Sequence, residues 1–432
     1  MTDLVTELNE QLLGKKHETE SNIILLQGQK TDLTAVVNLV KQARGIRCRL
    51  SRRPITGDHD WIIFVQFADN IEWIARLPQR SHKSQGKWDF GGELFCERYE
   101  CMIATIEYVA THTTLPVPRV HQFDLSCDNI LQRPYILMDC LPGKPFSSCL
   151  DSLDDGQIRS VVRQWAQYIM ELAALQFPRI GSLQKDNDNF VVKPLLPDIT
   201  APNNVINPVE NRGPFRSVAD YIFAMSDIKK RIISSTNTDS HTYGNFIRSS
   251  LLESLVPFFL VPEYLNGPFI LSHRTFDIHS ILVDTSGRLT GILSWQNAAI
   301  LPLQSHIRVP DSLNLEFMPP SETAGQRSRN RFSRKYRPHF EKAMCEAGAE
   351  SNYNVAELID RSLMFGLFER AILNAKDERF LPALWEHVFG NAEGAEEFRR
   401  DMKKGDWGVA TADRWGIEVE NKLSKSRENS KP

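Results

Sequence analysis

The spacing of apolar residues changes twice along the first third of the chain. Between Ile46 and Pro78 the apolar runs are short and bounded by turn residues, and Cys48–Leu50, Trp61–Phe67 and Glu72–Leu77 are expected to be strands. From Glu93 to Thr111 the period lengthens: Cys101, Ile103, Ala104, Ile106 and Val109 form a helical face that Pro116 and Pro118 bring to an end. Pro134–Asp139 returns to a continuous apolar run, the pattern of a buried strand.

Later elements are longer and mostly helical. Ile158, Val161, Trp165, Ile169 and Leu172 place an apolar stripe on a helix over Gln157–Gln176, and further helices are expected over Ala219–Met225, Val355–Leu373 and Phe380–Phe389. Phe365, Phe368 and Trp385 recur at helical spacing and read as core. Upstream, Leu4, Leu8 and Leu12 suggest a first helix and Leu33–Ala43 a second. Residues 184–213, rich in Asn, Asp and Pro, read as a surface insertion, and the tail 422–432 has Leu423 as its one apolar residue, a composition that predicts disorder.

One stretch differs from all of these. Ile281–Val283 and Leu289–Leu293 are β-forming runs joined by Asp284-Thr285-Ser286-Gly287-Arg288, which predicts a hairpin. Polar segments flank it, Ser272–Ser280 before and Ser294-Trp295-Gln296 after. Two polar loops at one end of a hairpin can meet and form a site.

These segments resemble the aminoglycoside and choline phosphotransferase-like enzymes, particularly the group found in filamentous fungi. The family loop reads H-x-D-L-H-P-x-N-I-L-V-D, and its second strand ends G-I-I-D-W-E. With His273 on the family His, Ile281–Asp284 and Gly291-Ile292 fall into register without a gap. Glu72–Pro78 is similar to W-[VI]-[AV]-R-[IL]-P, Thr113–Pro118 to T-[ST]-I-P-V-P, Ile136–Gly143 to I-L-M-E-x-[VLI]-P-G and Phe177–Leu183 to F-x-x-I-G-S-L. The resemblance covers roughly Ile46 to Gly390. It implies an α+β, two-lobed protein-kinase-like fold: a helical extension (1–45), a small β-rich lobe (46–140), a larger helical lobe carrying the hairpin (141–421) and a tail (422–432).

Carried over residue by residue, the resemblance also locates what is missing. The family's catalytic Asp falls on Thr275, its metal-binding Asn on Ser280, its second metal-binding Asp on Ser294 and the acid after Trp295 on Gln296. Phosphoryl transfer needs metal ions on the β- and γ-phosphates and a carboxylate to orient the nucleophile. Magnesium takes hard oxygen ligands including carboxylates, and a hydroxyl does not ionise near neutral pH to act as base. Asp277 is no substitute by register slip, because the metal ligand five residues on would be the strand residue Leu282.

The nucleotide-facing positions are less altered. Arg76 takes the place of the lysine that contacts the α- and β-phosphates, or is a surface cation at a sheet edge; Arg keeps the charge with a bulkier fork. The carboxylate partner expected on the following helix aligns with Met102, leaving Glu97 and Glu100 as neighbours on a solvated face or as partners of Arg76. The phosphate-covering turn, residues 53–60, has a single glycine and two acids. Asp139 and Cys140 lie on the connector whose backbone pairs with adenine in the family.

Composition narrows the class. The chain is 41% apolar and 24% charged with a net charge of −3, globular values that give no reason to expect nucleic acid. The basic cluster Arg327–Arg337 reads as a solvated helix or loop. Seven scattered cysteines without C-x-x-C spacing suggest neither disulfides nor zinc. No apolar run approaches the roughly 20 residues of a membrane helix. The first residues lack a signal-peptide core and are too acidic for a mitochondrial presequence, so a cytoplasmic protein is expected.

The expected function is a pseudokinase: a phosphotransferase scaffold binding an unknown small molecule or protein, with ATP the candidate cofactor, no magnesium and no metal ligands. The alternative is an active ATP-dependent small-molecule kinase using rearranged acids such as Asp277 and Asp284, in fungal secondary metabolism.

Overall fold

A computed structural model of the chain describes residues 23–26, 29–57, 60–79, 90, 92–197, 211–236, 252–253, 255–314 and 324–373, with isolated residues beyond. The helix expected at Leu4–Leu12, the helix Phe380–Phe389 with Trp385, and the tail lie outside them. The chain forms two compact units, Met1–Ser81 with His121–Met138, and His82–Val120 with Asp139–Pro432.

The first unit is a sheet with one helix. Strands β1 (Ile23–Leu26) and β2 (Gln29–Asp32) pair antiparallel and lead into helix α1 (Leu33–Arg44). The Asp32 side chain accepts a hydrogen bond from the Thr34 N–H, and Gly45 ends the helix at φ 74°, a left-handed conformation that glycine adopts freely. Strands β3 (Cys48–Leu50), β4 (Ile55–Thr56), β5 (Asp60–Phe67), β6 (Glu72–Pro78), β7 (Val120–Asp124) and β8 (Tyr135–Asp139) form a six-stranded sheet of order β3-β5-β6-β8-β7, with β4 on β5. Every second residue of β5 and β6 faces one side: Ile63, Val65 and Phe67 beside Trp73, Ala75 and Leu77, all buried in one cluster with Val36 and Val40 of α1.

The second unit begins with helix α2 (Glu93–His112), whose Met102, Ile106 and Val109 are buried. After β8 the connector gives a two-residue strand β9 (Lys144–Pro145) and then α3 (Asp155–Ala173). Asp154 and Gln157 close a capping box at the start of α3, and the expected stripe, Ile158, Val161, Trp165, Ile169 and Leu172, is buried.

Residues 184–213 are not wholly an insertion. Strands β11 (Ser182–Asp186) and β12 (Asn189–Lys193) form a hairpin that follows the short β10 (Gln176–Phe177), and its turn places Asn187 at φ 54°. Asp186-Asn187-Asp188 was the turn signal, since Asn and Asp tolerate left-handed backbone better than other residues.

Helix α4 (Val218–Thr236) precedes a three-stranded sheet of order β10-β13-β16, with β13 at Phe269–Ser272 and β16 at Ala299–Pro302. Between them sits the expected hairpin, β14 (Ile281–Val283) against β15 (Leu289–Ile292), with β9 added on the outer side of β14. Gly143 lets the connector approach: at φ 106°, a Cβ there would meet the Val283 carbonyl oxygen at 2.8 Å. Helices α5 (Ala324–Ala347) and α6 (Val355–Leu373) follow. The basic cluster lies on α5, whose other face buries Phe332, Tyr336, Phe340 and Met344; Phe340 packs edge-on to Trp165 with ring centroids 5.5 Å apart. Phe365 and Phe368 are core, Phe368 stacking on Phe259. Among the described residues no helix is long and apolar enough to cross a membrane.

Candidate functional site

The polar loop between β13 and β14 is fastened at its first residue. His273 is buried, its Nε2–H donates to the Leu293 carbonyl at 2.6 Å, and its ring stands edge-on to Trp295 at 4.5 Å. Burial pulls the imidazole down to about 4, so it is neutral near pH 7. Trp295 in turn donates from Nε1 to the Ile292 carbonyl at 3.0 Å. These bonds tie the loops on either side of the hairpin together.

Ser280 fixes the other end. Its Oγ accepts the Asp277 N–H at 3.0 Å and donates toward the Thr275 and Asp277 carbonyls, each at 2.9 Å, while its own carbonyl accepts the Leu293 N–H. The Ser280 hydroxyl is therefore a buried loop staple. Thr275 is exposed, with two long contacts: 3.4 Å to His273 Nδ1 and 3.5 Å to the Ser294 carbonyl. Ser294 sits at φ 70°, ψ 42°, left-handed backbone for a residue with a Cβ.

The two acids offered as replacements are engaged elsewhere. Asp277 accepts the Ile278 N–H at 2.6 Å and the Ser312 N–H at 3.1 Å, and burial raises its carboxyl above the usual range. Asp284 accepts the N–H groups of Ser286 and Arg288 and the Ser286 hydroxyl, which lowers its carboxyl and closes the hairpin turn. Both serve backbone amides. The described residues contain no cluster of three or more His, Cys, Asp or Glu able to hold a metal. With hydroxyls at 275, 280 and 294, this donor set does not fit the magnesium of phosphoryl transfer.

In the first unit Arg76 is not a free surface cation. Its guanidinium meets the Asp60 carboxylate across β5 and β6, Nε at 2.7 Å and an Nη at 2.5 Å, with the two side chains 13% and 4% exposed. The turn before Asp60 closes on itself through the Gly57 N–H and the Asp60 carbonyl at 2.7 Å. In the second unit Glu97 accepts from Gln184 Nε2 at 3.1 Å, and Met102 is core. On the connector, Asp139 exchanges bonds with Arg119: its N–H donates to the Arg119 carbonyl at 3.0 Å and its Oδ2 accepts the Arg119 N–H at 3.1 Å. That amide is thereby occupied, and Cys140 beside it is half-buried.

Next to Thr275 the structure opens a cavity of about 250 Å³, bordered by Arg274, Thr275, Asp277, His279, Arg308 and Asp311. Sequence reasoning missed its basic side. Arg308 interrupts a run of ten residues, 300–309, that are otherwise buried, and one charge inside such a run was the available signal.

The phosphotransferase enzyme family, APH, matches residues 92–304, just under half of the chain. Subtelomeric hrmA-associated cluster proteins of Aspergillus fumigatus are 30% identical over 112 residues, 26% of this chain and 21% of theirs. The mitochondrial protein named altered inheritance of mitochondria protein 9 of Clavispora lusitaniae is 24% identical over 160 residues, 36% of this chain and 23% of its own. The chain thus spans about a fifth of the length of these relatives. Among solved structures, macrolide 2′-phosphotransferase MphH of Brachybacterium faecium gives a TM-score of 0.43 at 16% identity, covering 84% of this chain and 95% of that one. A thermostable aminoglycoside phosphotransferase APH(4)-Ia, in a ternary complex with AMP-PNP and hygromycin B, gives 0.44 at 14% identity, covering 91% and 98%.

Proposed function

We propose, from the premise that residues 92–304 place this chain in the aminoglycoside phosphotransferase-like family with its kinase-like α+β fold, that it is a pseudokinase: a binding protein that does not transfer phosphate. One observation carries this reading. The side chain at the position aligned with the metal ligand, Ser280, is buried in hydrogen bonds to its own loop, and the nearby Asp277 and Asp284 are held by backbone amides. What such a scaffold retains is recognition, of a nucleotide through connector backbone or of a small molecule or protein partner. ATP is the candidate ligand of the connector, since a relative of this fold holds AMP-PNP, and binding without magnesium fits the loss of the acids. All seven cysteines are free, which agrees with a reducing compartment such as the cytosol; the mitochondrial relatives make the mitochondrion the alternative.

A second reading has one observation in its favour: Asp277 borders the cavity beside Thr275 and its carboxyl is raised by burial, as in a general acid or base. That reading is an active small-molecule kinase with rearranged acids. The two separate on ADP release from magnesium–ATP by the full-length protein, Asp277→Asn, and the triple variant Thr275→Asp, Ser280→Asn, Ser294→Asp. The pseudokinase reading expects background release from the first two. Release by the unmodified protein that Asp277→Asn abolishes would overturn it.

A further inference from the structure

The cavity beside Thr275 presents cations with nothing to hold. Arg308 has protein packed round it closely enough to push its guanidinium below its ordinary range, yet its side chain makes no hydrogen bond and no ion pair among the described residues. Arg274, held at φ 64° on the same rim, and the exposed His279 are likewise without a side-chain partner there. The half-buried Arg308 guanidinium opens onto the cavity and offers its N–H donors to whatever enters it.

The nearby acids are already engaged. Arg370 holds both oxygens of Asp311, at 2.6 and 2.7 Å. Glu369 accepts the Ser305 hydroxyl at 2.8 Å, and Asp277 accepts two backbone amides. His306, on the cavity wall, is neutral and donates to the Ile169 carbonyl at 2.8 Å. The groups left with unused capacity are donors, and they converge on one space.

We infer that this cavity binds a small molecule through a carboxylate or phosphate group, with Arg308 as its inner anchor and Arg274 as its outer one. The planar fork of a guanidinium can meet two oxygens of either a carboxylate or a phosphate, and two such groups border one site. A volume of about 250 Å³ lies below the roughly 300–1,000 Å³ of ordinary small-molecule pockets, so a compact anion fits and a drug-sized molecule does not. The inference stands whether or not the protein turns over ATP.

The test is calorimetric titration of the full-length protein, in a buffer free of other oxyanions, with inorganic phosphate and with succinate against chloride at matched ionic strength. Saturable binding of phosphate or succinate is expected, weakened about tenfold or more by Arg308→Gln and by Arg274→Gln, and unchanged by Arg331→Gln on the exposed face of α5. Preference between the two probes says which oxyanion the site takes. Equal heat from chloride, indifference to both cavity substitutions, or an equal loss in Arg331→Gln would each overturn the inference. Should Arg308→Gln fail to fold, Arg274→Gln, on an exposed side chain, decides alone.

Discussion

Replacing Ser280 by alanine separates a structural hydroxyl from a catalytic one. The substitution removes one buried oxygen, and two backbone groups lose their partner: the Asp277 N–H, bound at 3.0 Å, and the Thr275 carbonyl, bound at 2.9 Å. The Asp277 carbonyl keeps the Ser280 N–H at 2.9 Å and is not orphaned. Each unmet buried group costs about 1–3 kcal/mol, and the loop is partly open to water, so the loss should be about 2–4 kcal/mol. Thr275→Ala is the control: its contacts at 3.4 and 3.5 Å are long and its side chain is exposed, so a change within about 0.5 kcal/mol is expected. Urea unfolding of the full chain gives the difference in stability. Hydrogen exchange of a peptide spanning 273–284 locates it, with faster exchange at Asp277 and Ile278 in Ser280→Ala. If Ser280→Ala costs less than Thr275→Ala, or leaves exchange in that peptide unchanged, the staple is not what holds the loop.

Two further expectations concern charge. Asp60→Ala removes one member of a pair whose side chains are 13% and 4% exposed and should cost about 3 kcal/mol in the first unit, whereas the double variant Asp60→Leu, Arg76→Met should recover most of that; a single-variant loss below about 1 kcal/mol in thermal unfolding refutes the pair's role. Stability should also fall on acidification from about pH 6.5 to about pH 4, because His273 and His306, both drawn down to about 4 by burial, stay unprotonated in the fold while the unfolded chain takes up their protons. Asp277 and Glu100, both raised by burial, act in the opposite sense over the lower part of that window and make the decline shallower there. Melting temperatures between pH 7 and 4.5 should show the decline, and His273→Gln should flatten it.

The hairpin and its flanking loops were legible because the β-forming runs, the Asp284–Arg288 turn and His273 are local signals, and β14 and β15 lie where the spacing put them. The three strands of the first sheet and the stripe on α3 followed from period alone. What sequence could not supply were partners distant along the chain. Nothing in Asp60 marks it as the partner of Arg76, sixteen residues on, because that meeting depends on the register of β5 and β6. Asp277 reads as a free polar residue until Ser312, thirty-five residues later, brings an amide to it. The β11–β12 hairpin was missed for another reason: a polar, turn-rich composition outweighed a short apolar run, Phe190–Val192, in a segment read as a whole.

The loop is held by bonds that involve no carboxylate at 275, 280 or 294. Carboxylates that share a metal repel one another when the metal is absent, so their neighbouring backbone must be held by other bonds. Here those bonds are the His273 donation to Leu293, the Trp295 donation to Ile292 and the meeting of Ser280 with Leu293. Ser294 still occupies left-handed backbone, a conformation that Asn and Asp tolerate better than Ser, at a cost of about 1 kcal/mol. The frame around it, the end of β15 and the buried Trp295, imposes that conformation. Beside that frame lies the cavity bordered by Arg274 and Arg308, so the bonds that fix the loop also fix one wall of the cavity.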